Sequence, residues 1–265
     1  MLSNVDIVKE LGKNILIFPF NELNLKGASY NLTPSKYAWN LTTKQRVYDQ
    51  SREIITLESR STTVIETVES IWVSKKIAGT YHSKVILVSK GIGHIGTTLD
   101  PEYIGCSLIA IHNVSDEIIE LDIKDTFVSI VFEYVHEAST IDRHNNESGR
   151  LQIFSELGIN LTNEERRELQ KDFMIDPKAL RIELSKSQNF KDIKAKYTSG
   201  YIYILKKYSA SILSIVLIII LFWINNNQSN FKNKGWYNTS QSVIPILLTV
   251  FMTLAGKQLI DDING

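Results

Sequence analysis

Apolar and polar positions alternate with a period of two in five stretches: Ser61–Val68, Tyr81–Val88, Ser107–Asn113, Glu117–Ile123 and Thr126–Tyr134. β-Branched residues are enriched in the same stretches, so each predicts a strand. Several short strands at near-regular spacing predict a distorted jelly roll or β-barrel. Beyond residue 137 the pattern becomes polar and mostly helical. Thr162-Asn163-Glu164-Glu165 has the form of a capping box, and Leu169, Phe173 and Met174 follow at helical spacing, as in a connecting helix. No charged residue then occurs from Tyr208 to Phe231, or from Gly235 to Gly256. With Tyr201 and Tyr203 upstream, the run Ile212–Trp223 reaches the roughly 20 residues that cross a ~30 Å hydrocarbon core. Val243–Ala255 is shorter and carries Pro245 near its start; Trp236 and Tyr237 suit a membrane interface, though a buried core helix is the alternative.

The expected organisation is therefore a mainly β domain over 1–137 and a helical connector over 138–200. Transmembrane helices follow over 201–226 and 241–258, joined by a short external connection over 227–240, with a tail over 259–265. Lys191, Lys194, Lys196, Lys206 and Lys207 precede the first span, against Lys232 and Lys234 in the connection. That bias predicts a multi-pass protein of the inner or plasma membrane with its N-terminal domain in the cytoplasm. Met1–Asp6 has no basic region leading into an apolar run, so it does not read as a signal peptide.

Charge and cysteine content remove several function classes. Lys+Arg and Asp+Glu are both 29 in 265 residues, so there is no overall basic footprint for nucleic acid. Cys106 is the single cysteine, which rules out an intrachain disulfide and a cysteine-rich zinc site. None of His82, His94, His112, His136 and His144 pair at metal-ligand spacing such as His-x-x-x-His. No cofactor held by protein ligands is expected; Mg²⁺ carried on the phosphates of a bound nucleotide stays compatible. Gly91-Ile92-Gly93-His94-Ile95-Gly96 satisfies G-x-G-x-x-G, but the β-prone Thr97-Thr98-Leu99 and then Pro101 follow it. A dinucleotide site needs a helix there, so these glycines read as a tight connection between strands.

The stretch richest in candidate chemistry is Thr97-Thr98-Leu99-Asp100-Pro101-Glu102-Tyr103-Ile104-Gly105. A turn of this composition aims one carboxylate and one ring at a small ligand, and the glycine lets backbone approach closely. Asp100 satisfying its own loop backbone is the plainer alternative. Together with Leu2-Ser3-x-x-Asp6-Ile7, Ile17-x-Pro19-Phe20, Gly27-Ala28-Ser29-Tyr30-Asn31-Leu32, Glu66-Thr67-Val68-Glu69 and Asn113, the stretch resembles the dCTP deaminase / dUTPase superfamily over about the first 137 residues. The resemblance implies a homotrimer with nucleotide sites between subunits. It further implies Asp100 near a deoxyribose 3′-hydroxyl, Tyr103 and Gly105 against the sugar, and Ser83 and Lys84 at the phosphates.

Departures from the family pattern bear on activity. Deamination needs a group that takes a proton from water and returns it. The family's glutamate aligns with Ala110, which cannot do so, and His112, two residues on, is a poor substitute. Leu87 stands where a phosphate-binding arginine is usual, Asn31 replaces an aspartate, and no glycine-rich flap is visible. The expectation is a membrane-anchored nucleotide-binding protein that lacks deaminase activity and acts as a sensor or effector. Two alternatives remain open. One is an active membrane-tethered deaminase or pyrophosphohydrolase in which Asp100 orients water; the other is a trimerisation scaffold for the membrane segments.

Overall fold

The computed structural model describes residues 1–94, 96–140 and 151–207, together with Ile215, Val216, Ile218, Ile219, Ile220, Trp223, Pro245, Ile246, Thr249, Val250 and Thr253. The chain divides into two compact units, Met1–Ala195 and Lys196–Gly265. In the first, helix α1 (Asn4–Glu10) leads into strands β1 (Ile15–Phe18), β2 (Tyr30–Leu32), β3 (Pro34–Asn40), β4 (Tyr48–Asp49), β5 (Ile54–Leu57), β6 (Ser61–Val73) and β7 (Ile77–Ser83). After the short helix α2 (Val85–Val88) come β8 (Ile92–Gly93), β9 (Thr98–Leu99), β10 (Ile104–Asn113), β11 (Ile119–Asp122) and β12 (Val128–Tyr134). Helices α3 (Leu151–Glu156), α4 (Asn163–Glu168), α5 (Asp172–Ile175), α6 (Pro177–Lys186) and α7 (Gln188–Lys207) complete the order.

Three sheets form, and among the described residues none closes into the barrel that strand spacing suggested. A five-stranded sheet runs β1-β6-β10-β8 with β3 also on β6; a four-stranded sheet runs β2-β12-β7-β9; and β11-β5-β4 make a third. The long strand β6 explains the open arrangement. It holds β1 along Ser70–Val73 and β3 along Thr63–Thr67, so two partners share one edge. Cys106 lies opposite Ser70 but Leu108 lies opposite Glu66, so β6 bulges through Thr67–Glu69 against Ser107.

The inner faces bury Ile65, Ile71, Ile109, Ile111, Val128, Ile130 and Phe132. The outer face of the five-stranded sheet is covered too. Phe154, Ile159, Leu161 and Leu169 pack on Tyr37, Trp39 and Val64, with Leu108 and Ala110 at the margin. Phe173 meets Phe18 edge-on at 5.3 Å. Covering on both faces makes most of β6 buried rather than alternating. Thr162 and Glu165 form the expected capping box, with the Thr162 N–H 2.7 Å from the Glu165 carboxylate and the Glu165 N–H 3.2 Å from Oγ1. Leu169, Phe173 and Met174 do not share one helix, because α4 ends before Leu169 and α5 begins at Asp172. Gly12 (φ +81°) is required where α1 turns into β1: a Cβ there would sit 2.9 Å from the Phe190 ring.

Two local expectations change. Val85–Val88, read as the end of a strand, is helical, with Leu87 buried and Val85, Ile86 and Val88 exposed. Met1–Glu10, within the region read as strands, contains α1, whose N-cap Ser3 exchanges hydrogen bonds with Asp6 in a capping box. The two apolar segments fall almost wholly outside the described residues. The positions described there are helical, and their large apolar side chains, such as Ile219 and Trp223, are exposed. Among the described residues no helix is long and apolar enough to cross a membrane.

Candidate functional site

Asp100–Tyr103 is a corner between sheets rather than the tip of a hairpin. On one side β9 pairs with β7; on the other β10 pairs with β6. The turn closes through the Tyr103 N–H on the Asp100 carbonyl at 3.1 Å, and the Glu102 N–H on the Val73 carbonyl at 3.0 Å clips it to the end of β6. Glu102 (φ 63°) in the turn and Gly105 (φ 131°) near the start of β10 both take positive φ, which side chains disfavour. Asp100 is half-buried. Tyr103 is buried, and its hydroxyl donates to the Cys106 carbonyl at 2.6 Å, which ties the ring to its own strand.

Tyr81, Thr97, Thr98, Tyr103, Ser107, Leu108 and Ile109 line a recess of about 70 Å³ beside the corner. That is well short of the roughly 300–1,000 Å³ of a typical ligand pocket, so the recess by itself does not enclose a nucleotide. The Tyr81 hydroxyl closes the inner end at 2.6 Å from Ser107 Oγ. Tyr81→Phe leaves the buried Ser107 hydroxyl short of a partner, and about 1–2 kcal/mol of stability is expected to be lost in denaturant titrations. An unchanged midpoint would assign the pair no energetic role.

Ser83 and Lys84 stand apart from this corner. Leu99, next to Asp100, lies opposite Gly79. Ser83 is four residues further along β7, about 13 Å away at ~3.3 Å per residue. Ser83 Oγ is 2.8 Å from His94 Nδ1 and accepts the His94 N–H at 3.1 Å. The Lys84 ammonium donates to the carbonyl and hydroxyl of Thr126, and burial holds its pKa below the usual lysine value. The structure thus brings Asp100, Tyr103 and Gly105 together and leaves Ser83 and Lys84 at a separate station on the same sheet.

Ala110 lies opposite Val64, at the edge of the cluster under α3 and α4. Asn113 is committed to its own loop: its amide donates to the Leu57 and Glu117 carbonyls at 2.9 and 2.8 Å, and its oxygen accepts from Ser115. Two carboxyls singled out only as part of a motif prove central. Glu69, 2 % exposed, accepts the Thr33 N–H and hydroxyl at 2.9 and 2.8 Å, while burial pushes its pKa up to about 7. Glu66, also 2 % exposed, lies opposite Leu108 on the face that carries Val64 and Ala110. Its Oε1 has no hydrogen-bond partner, and burial pushes its pKa up to about 8. Its place in the alternation after Val64 was the available signal. Among the described residues no group of three or more His, Cys, Asp or Glu is placed to hold a metal ion.

No family model matches the chain. Among characterised proteins, the dCTP deaminase of Pyrococcus horikoshii is 28% identical over 124 residues, 46% of this chain and 78% of that protein. The dCTP deaminase of Thermococcus sibiricus is 27% identical over 130 residues, 49% of this chain and 82% of that protein. Among solved structures, the 2′-deoxycytidine 5′-triphosphate deaminase of Agrobacterium tumefaciens matches at a TM-score of 0.42 and 12% identity. The match covers 61% of this chain and 54% of that one, so this chain spans about half of its length. The dUTPase of phage phi11 of S. aureus matches at 0.35 and 15% identity, over 51% of this chain and 99% of that one. The N-terminal unit is mainly β, and about half of the chain is similar in sequence to the dCTP deaminases.

Proposed function

We propose that the N-terminal unit binds a deoxynucleoside triphosphate without deaminating it and reports occupancy to apolar segments that tether the chain to a membrane. The observation that carries the first half is Ala110. A methyl group at the edge of the aromatic and aliphatic layer under α3 and α4 offers no site for a proton. The separation of Ser83 and Lys84 from the Asp100 corner, four residues or about 13 Å along β7 from the pairing with Leu99, supports a site completed between copies of the chain, as in the homotrimer that the family resemblance implies. The uncharged runs Tyr208–Phe231 and Gly235–Gly256, with their helical and exposed described positions, support the tether, and the lysines ahead of the first run support a cytoplasmic N-terminal unit. A ligand moves such a device only by binding one state better than the other.

Glu66 supports a second reading. A buried carboxyl that holds its proton near neutrality, on the face of Ala110, is a candidate acid–base group for an active deaminase.

The deciding experiment uses the full-length chain in detergent with a panel of deoxynucleoside and nucleoside triphosphates and Mg²⁺. Saturable binding without product is expected, and Asp100→Ala should weaken it about 10- to 100-fold, through loss of a charge-assisted hydrogen bond. Release of a uracil nucleotide and ammonia would overturn the non-enzymatic reading and make Glu66→Gln the next variant. Release of pyrophosphate would point to water activation at Asp100. Binding of nothing would leave a trimerisation scaffold.

A further inference from the structure

A cavity of about 560 Å³ opens between the five-stranded sheet and the helical layer, and it shares no residue with the recess beside Asp100. That volume falls within the range of small-molecule pockets. One wall comes from β3, β4 and the turn between them, and carries Lys36, Tyr37, Arg46 and Tyr48. The other is α4, with Glu164 and Glu165.

The two walls are opposite in charge and only partly spent on each other. Arg46 pairs with Glu165 at 3.2 Å and donates to the Lys36 carbonyl at 2.9 Å. Glu165 also accepts the Thr162 N–H, so its carboxylate is committed. Lys36 and Glu164 are not. Both are exposed, and among the described residues neither side chain has a hydrogen bond or an ion pair. Glu168, the acid whose charge Lys36 reaches, is paired with Lys171 at 2.6 Å.

Tyr37 fixes the cationic wall. Lys36 Nζ sits 5.3 Å from its ring centroid and the Arg46 guanidinium carbon 5.4 Å from it, so the ring face holds both cations in place. Tyr37 is 8% exposed, and its hydroxyl has no hydrogen-bond partner among the described residues. Burial pushes its pKa up to about 12, so the hydroxyl keeps its proton and is a donor. The cavity therefore offers an uncommitted ammonium and phenol on one wall and an uncommitted carboxylate on the other. A lone anion would face Glu164 and a lone cation would face Lys36. A ligand carrying both charges satisfies both walls.

We propose that this cavity binds an α-amino acid, with its carboxylate on Lys36 and Tyr37 and its ammonium on Glu164. A bulky side chain then lies against the half-buried ring of Tyr48. The ligand touches both layers, so occupancy fastens α4 to the sheet. The site is separate from the nucleotide corner and does not rest on the nucleotide reading.

The test is calorimetric titration of the full-length chain in detergent with L-phenylalanine, L-tryptophan, L-leucine and L-methionine. Each is run beside its N-acetyl form, which lacks the ammonium, and its amide, which lacks the carboxylate. Saturable binding of at least one parent amino acid is expected, and either modification should weaken it about tenfold or more. Glu164→Gln should weaken the parent by a similar factor yet barely change the affinity for the N-acetyl form. Lys36→Ala should do the same for the parent and the amide. Both positions are exposed, so the fold should survive, which circular dichroism checks. Lys178→Ala, at an exposed lysine outside the cavity, should change nothing. Hydrogen exchange over α4 should slow on binding. Equal affinity for the parent, N-acetyl and amide forms overturns the inference, as does binding that leaves α4 exchange unchanged. Absence of binding by all four amino acids also overturns it, whatever the nucleotide titration returns.

Discussion

Phe154→Ala is expected to remove about 3–5 kcal/mol of stability, which is the cost of truncating a buried phenylalanine. Phe154 is fully buried, and its ring meets Trp39 edge-on at 4.7 Å. It joins Ile159, Leu161 and Leu169 of the helical layer to Tyr37 and Val64 of the sheet. Domains of this kind are stable by only about 5–15 kcal/mol, so the loss is a large share of the total. Melting of the full-length chain followed by circular dichroism should show a fall of about 10 °C or more. Hydrogen exchange should show the opening concentrated over α3 and α4 and over the Ala110 face of β10. A loss below about 1 kcal/mol would mean that the helical layer is not part of the cooperative unit. A Trp39–Phe154 double-mutant cycle should return about 0.5–1.5 kcal/mol for the ring contact itself.

The second large effect is electrostatic. Glu66→Gln is expected to leave stability little changed near pH 5 and to raise it above pH 8. The folded state holds the Glu66 proton up to about pH 8, whereas a carboxyl with its ordinary value releases it near 4.5. Over that window the folded protein binds more protons than the unfolded chain, so stability falls as pH rises. The fall is complete once the pH has passed through 8. At about 1.4 kcal/mol per pH unit, it is bounded by about 5 kcal/mol. Glu69 contributes a slope of the same sign that ends near pH 7, so the interval from pH 7 to 8.5 isolates Glu66. Denaturant titrations in that interval should show a falling curve for the native chain and a flat one for the variant. Parallel curves would mean that Glu66 is ionised and compensated in the folded state.

The strands near the candidate site were readable because their two faces differ. In β10, Ile109 and Ile111 point into the core while Leu108, Ala110 and His112 are half-buried, and period two survives that contrast. Val85–Val88 defeated the same reasoning: four apolar residues carry no period, and only the structure separates the buried Leu87 from its exposed neighbours. Ser3 and Asp6 have the spacing of a capping box, a signal masked because the same residues carry the family resemblance. In the site, Asp100, Tyr103 and Gly105 were visible together because one short turn holds them. The Ser83–His94 contact was not, since it joins residues eleven apart at the ends of strands of two different sheets. Glu66 was hidden by its company, because a carboxylate inside a β-branched run ordinarily marks a solvated face.

The corner at Asp100–Tyr103 has a consequence for which changes of length the chain can absorb. These four residues are the covalent step from β9 in one sheet to β10 in the other, and they set the phase at which β10 begins. Inserting or deleting a single residue here would shift β10 by one position against β6. Ile109 and Ile111 would turn outward, and Leu108, Ala110 and His112 would turn into the core. Substitution is judged at each side chain separately, but a one-residue indel is judged along the whole strand. The corner can therefore vary in composition far more freely than in length.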